Sequence, residues 1–452
     1  MTMMAFAPIL ALYMASCSCG PPRLPPMHAA ANPRHVVLIS LDTVRADALG
    51  TYGGPAKTTH IDALADVSVV FENHISAAPS TLASHTSMMT GQYPHTHGVP
   101  RNGHRLSDYN VLLAEVLQAA GFETAAILGA MPLGSHANFL QGFDFVDDTF
   151  RNPRETMVYE QAERPGSLVT DAALAWLDGQ DSERVFLFVH YFDAHQPYEA
   201  TANKDDGSMR SIYRLRNGLT AERPLSEGKS ESLKSLYWAE IASVDTEVGR
   251  LLDGLKTRGM LENALVVLTA DHGEAYADHG EFWEHGTYVY DQTVHTPLIV
   301  SLPGAQPRRI PQVVSGVDLV PTIYDVLELE MDPVDGRSVL PLLQGEKLDE
   351  RPVFSEATKP WDDDDDGWQN ANRQKAVRIG DLKLVWDPIS GTREVFRVSS
   401  DPTEANDLSD SVDAGPLNEA LDSWIQKVDP LDSERVIAPD ITEQLEALGY
   451  VE

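Results

Sequence analysis

Residues 34–42 read Arg-His-Val-Val-Leu-Ile-Ser-Leu-Asp, a short apolar run that ends on an acid. A strand buried on both faces reads as a continuous hydrophobic run, not an alternating one. The stretch is therefore expected to be a parallel strand inside a sheet, delivering Asp42 at its carboxyl end. Three further runs look alike: 123–129 (ETAAILG), 184–193 (RVFLFVHYFD) and 264–271 (ALVVLTAD). Helical patterns around 110–120, 168–179 and 236–258 precede them. Strands alternating with helices give an α/β fold with a mostly parallel central sheet flanked by helices. Such sheets bind ligands beyond the carboxyl ends of their strands, where Asp42, Asp193 and Asp271 are all expected.

Outward from this core, the pattern changes near 337–345 (RSVLPLLQG). Residues 376–398 read as strands with a turn at Pro388-Ile389-Ser390-Gly391, and 416–427 as a helix. A catalytic domain over 34–350 and a smaller C-terminal α+β subdomain over 351–452 follow. Between the two lies Asp362–Asp366, flanked by Trp361 and Trp368, which reads as a solvated loop. At the other end, 3–16 (MMAFAPILALYMAS) is almost wholly apolar yet too short to span a bilayer as a helix. It reads as the h-region of an export signal, and Cys17 after Met14-Ala15-Ser16 is placed like a lipobox cysteine. Residues 1–33 thus form a leader and a Pro-rich tether. The chain is expected to be exported, to the periplasm or as a lipoprotein tethered through Cys17. Cys17 and Cys19 are the only cysteines, so the folded body holds no disulfide, thiolate metal site or catalytic thiol.

Composition narrows the function. Of 452 residues, 42% are hydrophobic and 23% charged, as in an ordinary globular protein. Asp and Glu number 68 against 34 Lys and Arg, a net charge of −34. So acidic a surface repels nucleic acid, and no nucleic-acid partner is expected. It leaves room for a small anionic substrate, because a bound metal inverts the local field.

Two segments carry chemistry. Asp271-His272-Gly273-Glu274 closes a strand, and its first two residues offer an oxygen and a nitrogen ligand. Asp42, at the end of another strand, supplies a third. Residues 81–91, Thr-Leu-Ala-Ser-His-Thr-Ser-Met-Met-Thr-Gly, place small hydroxyl residues before an apolar helical face. That is either an N-cap on a core helix or a helix N-terminus that favours an anion, with a hydroxyl activated by a neighbouring metal.

These residues carry a resemblance. Ser40-Leu41-Asp42-Thr43-Val44-Arg45-Ala46-Asp47, then 81–91 running into Tyr93-Pro94-His95-Thr96-His97-Gly98-Val99, then Thr269-Ala270-Asp271-His272-Gly273-Glu274, are similar in order to the sulfatase family of the alkaline phosphatase superfamily. Phe192-Asp193-Ala194-His195-Gln196-Pro197-Tyr198, His285-Gly286, Asp335-Gly336-Arg337-Ser338 and Ala447-Leu448-Gly449-Tyr450 extend the likeness over about 35–450. The resemblance implies one divalent metal held by Asp42, Thr81, Asp271 and His272, with Thr81 as nucleophile on an anionic ester. His95 and His97 fall in a structural loop of the family, and Arg45 and Asp47 are expected to pair with each other.

The departures from the family pattern decide the chemistry. The signature's Cys or Ser, oxidised to formylglycine, is Thr81, so no formylglycine is expected. The signature arginine is His85, the second N-terminal acid is Thr43, and the sulfate-gripping lysine and histidine become Ala130 and Pro132. Formylglycine hydrate expels sulfate by reforming an aldehyde, which a threonine sulfate cannot do. A threonine phosphate can be hydrolysed by a second in-line attack. The reading therefore leans to phosphodiester or phosphomonoester cleavage. Sulfate ester hydrolysis, headgroup transfer to an envelope acceptor and a non-catalytic binding role stand as alternatives. His195 and His285 are proposed substrate ligands or general acids, and His85, one helical turn from Thr81, would orient it or touch the transferred group. Asp193, His195 and His285 form a competing second metal set. With one carboxylate fewer and a histidine present, manganese or zinc suits the site better than calcium, the family default.

Overall fold

The computed structural model describes residues 32–150, 163–196, 198, 227–276, 279, 285–357 and 374–426. The leader with Cys17 and Cys19, the acidic run Asp362–Asp366 and the terminal Ala447–Tyr450 lie outside the described residues.

The 34–42 run forms β1 (His35–Leu41), every residue of which is buried. It lies in an eight-stranded sheet with β2 (Val69–Ile75), β3 (Glu123–Ile127), β4 (Phe145–Asp147), β5 (Val185–Tyr191), β6 (Ala264–Ala270), β7 (His295–Ser301) and β8 (Arg308–Ser315). The order is β4-β3-β5-β1-β6-β7-β2-β8. Strand β1 is central and pairs in parallel with β5 on one side and β6 on the other. β7 alone runs against the rest, pairing antiparallel with β6 and β2. The sheet is thus mixed, with the parallel character concentrated where the site lies.

Both faces of the sheet are covered, which is why its strands are apolar throughout. Val36 and Leu38 face α2 (Thr81–Thr90), α3 (Leu113–Ala119) and α6 (Leu319–Val326), through Leu82, Met88, Leu117 and Ile323. Val37 and Ile39 face α1 (Thr59–Asp66), α4 (Gly166–Asp178) and α5 (Glu227–Thr257), through Ile61, Val169, Tyr237 and Val248. Each such side chain contributes about 1.5–3 kcal/mol on leaving water. Helix α5 starts earlier than the 236–258 pattern predicts, on a segment whose polar residues hide the helical period. Among the described residues no helix is long and apolar enough to cross a membrane.

The C-terminal part is an antiparallel sheet, β12-β11-β10-β9, made of β9 (Val353–Glu356), β10 (Lys375–Ile379), β11 (Leu382–Trp386) and β12 (Arg393–Arg397). Helix α7 (Gly415–Gln426) closes one face with Leu417, Leu421 and Trp424. The other face shares a core with the large domain, through Ile75, Val289, Val353 and Phe396. Backbone bonds seal the join, for example Glu356 N to Ala77 O at 3.0 Å.

Candidate active site

The register of β1 against β6 aligns Leu41 with Ala270. One residue further along each strand, Asp42 and Asp271 stand side by side beyond the sheet, and His272 follows. Ligand atoms of these three residues lie within 4.8 Å of one another, all fully buried. Among the described residues no other His, Cys, Asp or Glu group is gathered in this way.

The hydrogen bonds leave one side of the cluster open. Asp271 Oδ1 accepts the amides of Thr43 (3.1 Å) and His272 (2.8 Å), while Oδ2 has no hydrogen-bond partner. His272 Nδ1 donates to Gly273 O at 2.9 Å, and its Nε2 has no hydrogen-bond partner and lies 3.4 Å from Asp271 Oδ2. Asp42 Oδ1 is likewise unpartnered, and its Oδ2 meets His190 Nε2 at 3.1 Å. Burial and the neighbouring Asp271 push the Asp42 carboxyl well above its ordinary range. Burial acts on Asp271 too, but His272, His85 and His190 hold it below that range. Two buried carboxylates and an imidazole, each with one atom that has no hydrogen-bond partner, fit a divalent cation with oxygen and nitrogen ligands.

Thr81 completes the set. It is the first residue of α2, after the N-cap Ser80, and is fully buried. Its Oγ1 lies beside the Asp42 carboxylate without closing a regular hydrogen bond. The helix N-terminus points its dipole at this hydroxyl, and the Leu82 amide is taken by Asn102 Oδ1 at 2.7 Å. Asn102 is buried, and its Nδ2 has no hydrogen-bond partner.

The other expected residues divide. His85 is spent on the framework. Its Nδ1 donates to Thr81 O at 2.7 Å, so Nε2 accepts from Ser40 Oγ at 2.8 Å. Both ring nitrogens are engaged, which fits the orienting role and not contact with a transferred group. Burial drives its pKa down to about 3, so the ring is neutral. His272, His285 and His195 form a row, with ring centroids 4.3 Å and then 5.3 Å apart. His285 Nδ1 stands 3.5 Å from Glu274 Oε1, and His195 Nδ1 donates to Gln196 O at 2.5 Å. The competing second metal set does not assemble. Asp193 Oδ1 accepts the Gly166 amide at 2.8 Å, at the start of α4, and Asp193, His195 and His285 are not gathered as a ligand group.

Arg45 and Asp47 pair through two hydrogen bonds of 2.8 and 2.7 Å, and Arg45 Nη1 also holds Glu274 O. His95 bonds Glu356 and His97 bonds Ser87, both in the packing of the loop. Thr43 takes a left-handed backbone (φ 57°), which turns its amide to Asp271 while its carbonyl accepts the Tyr237 hydroxyl. Ala130 and Pro132 are buried and bring no charge.

Ser40, Asn102 and His190 escaped the sequence reading. His190 carried a signal, a lone polar residue inside an otherwise apolar strand. Ser40 sits two residues before Asp42 and so on its face. Asn102 lies in a loop and had none.

The sulfatase family model matches residues 34–329, and the model for the N-sulphoglucosamine sulphohydrolase C-terminal region matches 278–430. An ulvan-active sulfatase of Formosa agariphila is 26% identical over 337 residues, 69% of this chain. The chain spans just under two thirds of that relative, 65% of its length. An N-acetylglucosamine-6-O-sulfatase of Bacteroides thetaiotaomicron is 22% identical over 89% of this chain and 86% of its own. Among solved structures, the phosphonate monoester hydrolase of Agrobacterium radiobacter superposes with a TM-score of 0.68 at 20% identity, covering 88% of this chain and 95% of its own.

Proposed function

This chain belongs to the sulfatase family of hydrolases, and from that premise we propose that it cleaves phosphate esters, diesters foremost, with Thr81 as nucleophile. The observation that carries the proposal is the unpartnered Thr81 Oγ1 at a helix N-terminus, beside the open oxygens of Asp42 and Asp271 and the bare Nε2 of His272. A divalent cation held by Asp42, Thr81, Asp271 and His272 would offset the two carboxylates and lower the pKa of the hydroxyl. Thr81 Oγ attacks phosphorus in line, and the P–O bond to the leaving alcohol breaks. His195 or His285 gives the departing oxygen its proton. Water then attacks the Thr81 phosphoester, the Thr81 O–P bond breaks and the hydroxyl is restored. His85 keeps the first turn of α2 in place throughout.

Support for phosphorus over sulfur comes from Thr81, which lacks the aldehyde route. The named relatives include sulfatases and a phosphonate monoester hydrolase, so an anionic ester is the common substrate class. The test is turnover of bis(p-nitrophenyl) phosphate and p-nitrophenyl sulfate on one manganese- or zinc-reconstituted preparation. Faster cleavage of the diester supports the proposal. Faster cleavage of the sulfate refutes it and makes the protein a sulfatase with a threonine nucleophile.

A further inference from the structure

We propose that His190 is a positioning residue for the cation site, a hydrogen-bond clamp that holds Asp42 Oδ2 so that Oδ1 faces the cation. The inference rests on the reading of Asp42, Asp271 and His272 as ligands. It starts from register. Ser40 of β1 aligns with His190 of β5, which sets the imidazole one step below the end of the strand where Asp42 emerges. A carboxylate oxygen only accepts, so Nε2 carries the hydrogen across the 3.1 Å contact.

The ring has little freedom to leave. His85 meets it edge-on with centroids 5.0 Å apart, Phe188 stacks at 6.4 Å, and Phe192 lies at 6.2 Å. The backbone is pinned as well. A Cβ at Gly129 would stand 2.7 Å from the His190 carbonyl, so only glycine lets β3 end so close to β5.

The N–H of His190 thus orients the Asp42 carboxylate from the side opposite its unpartnered Oδ1. Partners that orient metal ligands in this way are worth about 10–100-fold in metal affinity.

The experiment uses metal-stripped full-length protein, titrated calorimetrically with Mn²⁺ and Zn²⁺. His190→Gln puts an amide N–H close to the position of Nε2, while the amide of His190→Asn is too short to reach Asp42. Expected is cation binding about 10–100-fold weaker for His190→Asn and within about threefold of wild type for His190→Gln. Equal affinity in all three proteins overturns the clamp. Equal loss in both variants also overturns it, because the ring would then serve packing and not donation. A wild-type protein that binds neither cation removes the underlying site reading itself, an outcome distinct from failure of the clamp. Melting temperatures of the metal-free forms check that both variants are folded.

Discussion

Thr81→Ala should separate stability from catalysis. Thr81 is fully buried, but its hydroxyl makes no regular hydrogen bond. The substitution therefore strands no partner. It removes one buried methyl, worth about 1 kcal/mol with its small cavity. Against that, alanine is the better helix former by about 0.5 kcal/mol, and a desolvated hydroxyl is gone. Ser80, not Thr81, occupies the N-cap position, so the substitution leaves that position unchanged. The net change in stability is at most about 1 kcal/mol, a shift of about 2–4 °C or less in a chain this large. Loss of a covalent nucleophile, by contrast, costs on the order of 10⁴–10⁶ in kcat. Thr81→Ser keeps the hydroxyl and should retain turnover within about tenfold. Thermal melts and diester turnover on the same preparations decide the matter. Turnover of Thr81→Ala within tenfold of wild type would show that the attacking group lies elsewhere. A melting point lowered by more than about 10 °C would show that Thr81 serves the fold, contrary to the orphaned hydroxyl.

Three further outcomes follow from the same geometry. Chelator-stripped protein should gain about 2.7 kcal/mol of unfolding free energy when manganese or zinc is restored at about 100 times its Kd. Asp271→Asn should abolish that gain, and an unchanged gain would place the cation elsewhere. His195→Gln should slow esters of poorly leaving alkyl alcohols by about 10²–10⁴ and p-nitrophenyl esters much less, whereas equal slowing of both would remove it as the general acid. His74 is buried, and its pKa is pushed down to about 3 by burial and by His295. The unfolded chain takes up a proton near pH 6.5 that the folded chain refuses, so stability falls as pH drops below that value. At pH 5 the loss is about 2 kcal/mol, and urea unfolding of His74→Gln at pH 5 and 7 should show that much less pH dependence.

The legibility of the site follows from how local each signal is. Asp42 and Asp271 were readable because a buried parallel strand is a continuous apolar run, and its carboxyl end is where the fold uses acids. The pairing of Asp42 with Asp271 needs only that β1 and β6 be neighbours in register. The antiparallel β7 was not readable, since its buried apolar centre Leu298-Ile299-Val300 carries no mark of strand direction. The second metal set failed because i and i+2 share a side only while the chain stays extended. Beyond β5 it turns, with the His195 amide bonded back to Phe192 O, and Asp193 is drawn to the start of α4. His85 was placed correctly one turn from Thr81, but its Ser40 partner lies across the sheet, where no sequence spacing reports it.

The departures from the family pattern also act together on charge. Thr43 removes an acid, while His85 and Ala130 stand where the pattern places an arginine and a lysine. His85 is neutral in its buried setting and Ala130 has no charge at all. The site thus loses more positive than negative charge. Near a protein surface a unit charge at about 4 Å contributes about 4 kcal/mol towards a single negative charge, and twice that towards a dianion. Removing cations therefore penalises a phosphate monoester dianion more than a monoanion. Phosphodiesters and sulfate esters are both monoanions, and between those two Thr81 favours phosphorus. The expected order in kcat/KM at neutral pH is bis(p-nitrophenyl) phosphate above p-nitrophenyl phosphate, with the gap narrowing towards pH 5 as the monoester takes up a proton. A monoester preferred at neutral pH would mean that cations from elsewhere refill the site, and that the lost charges at 85 and 130 do not set its specificity.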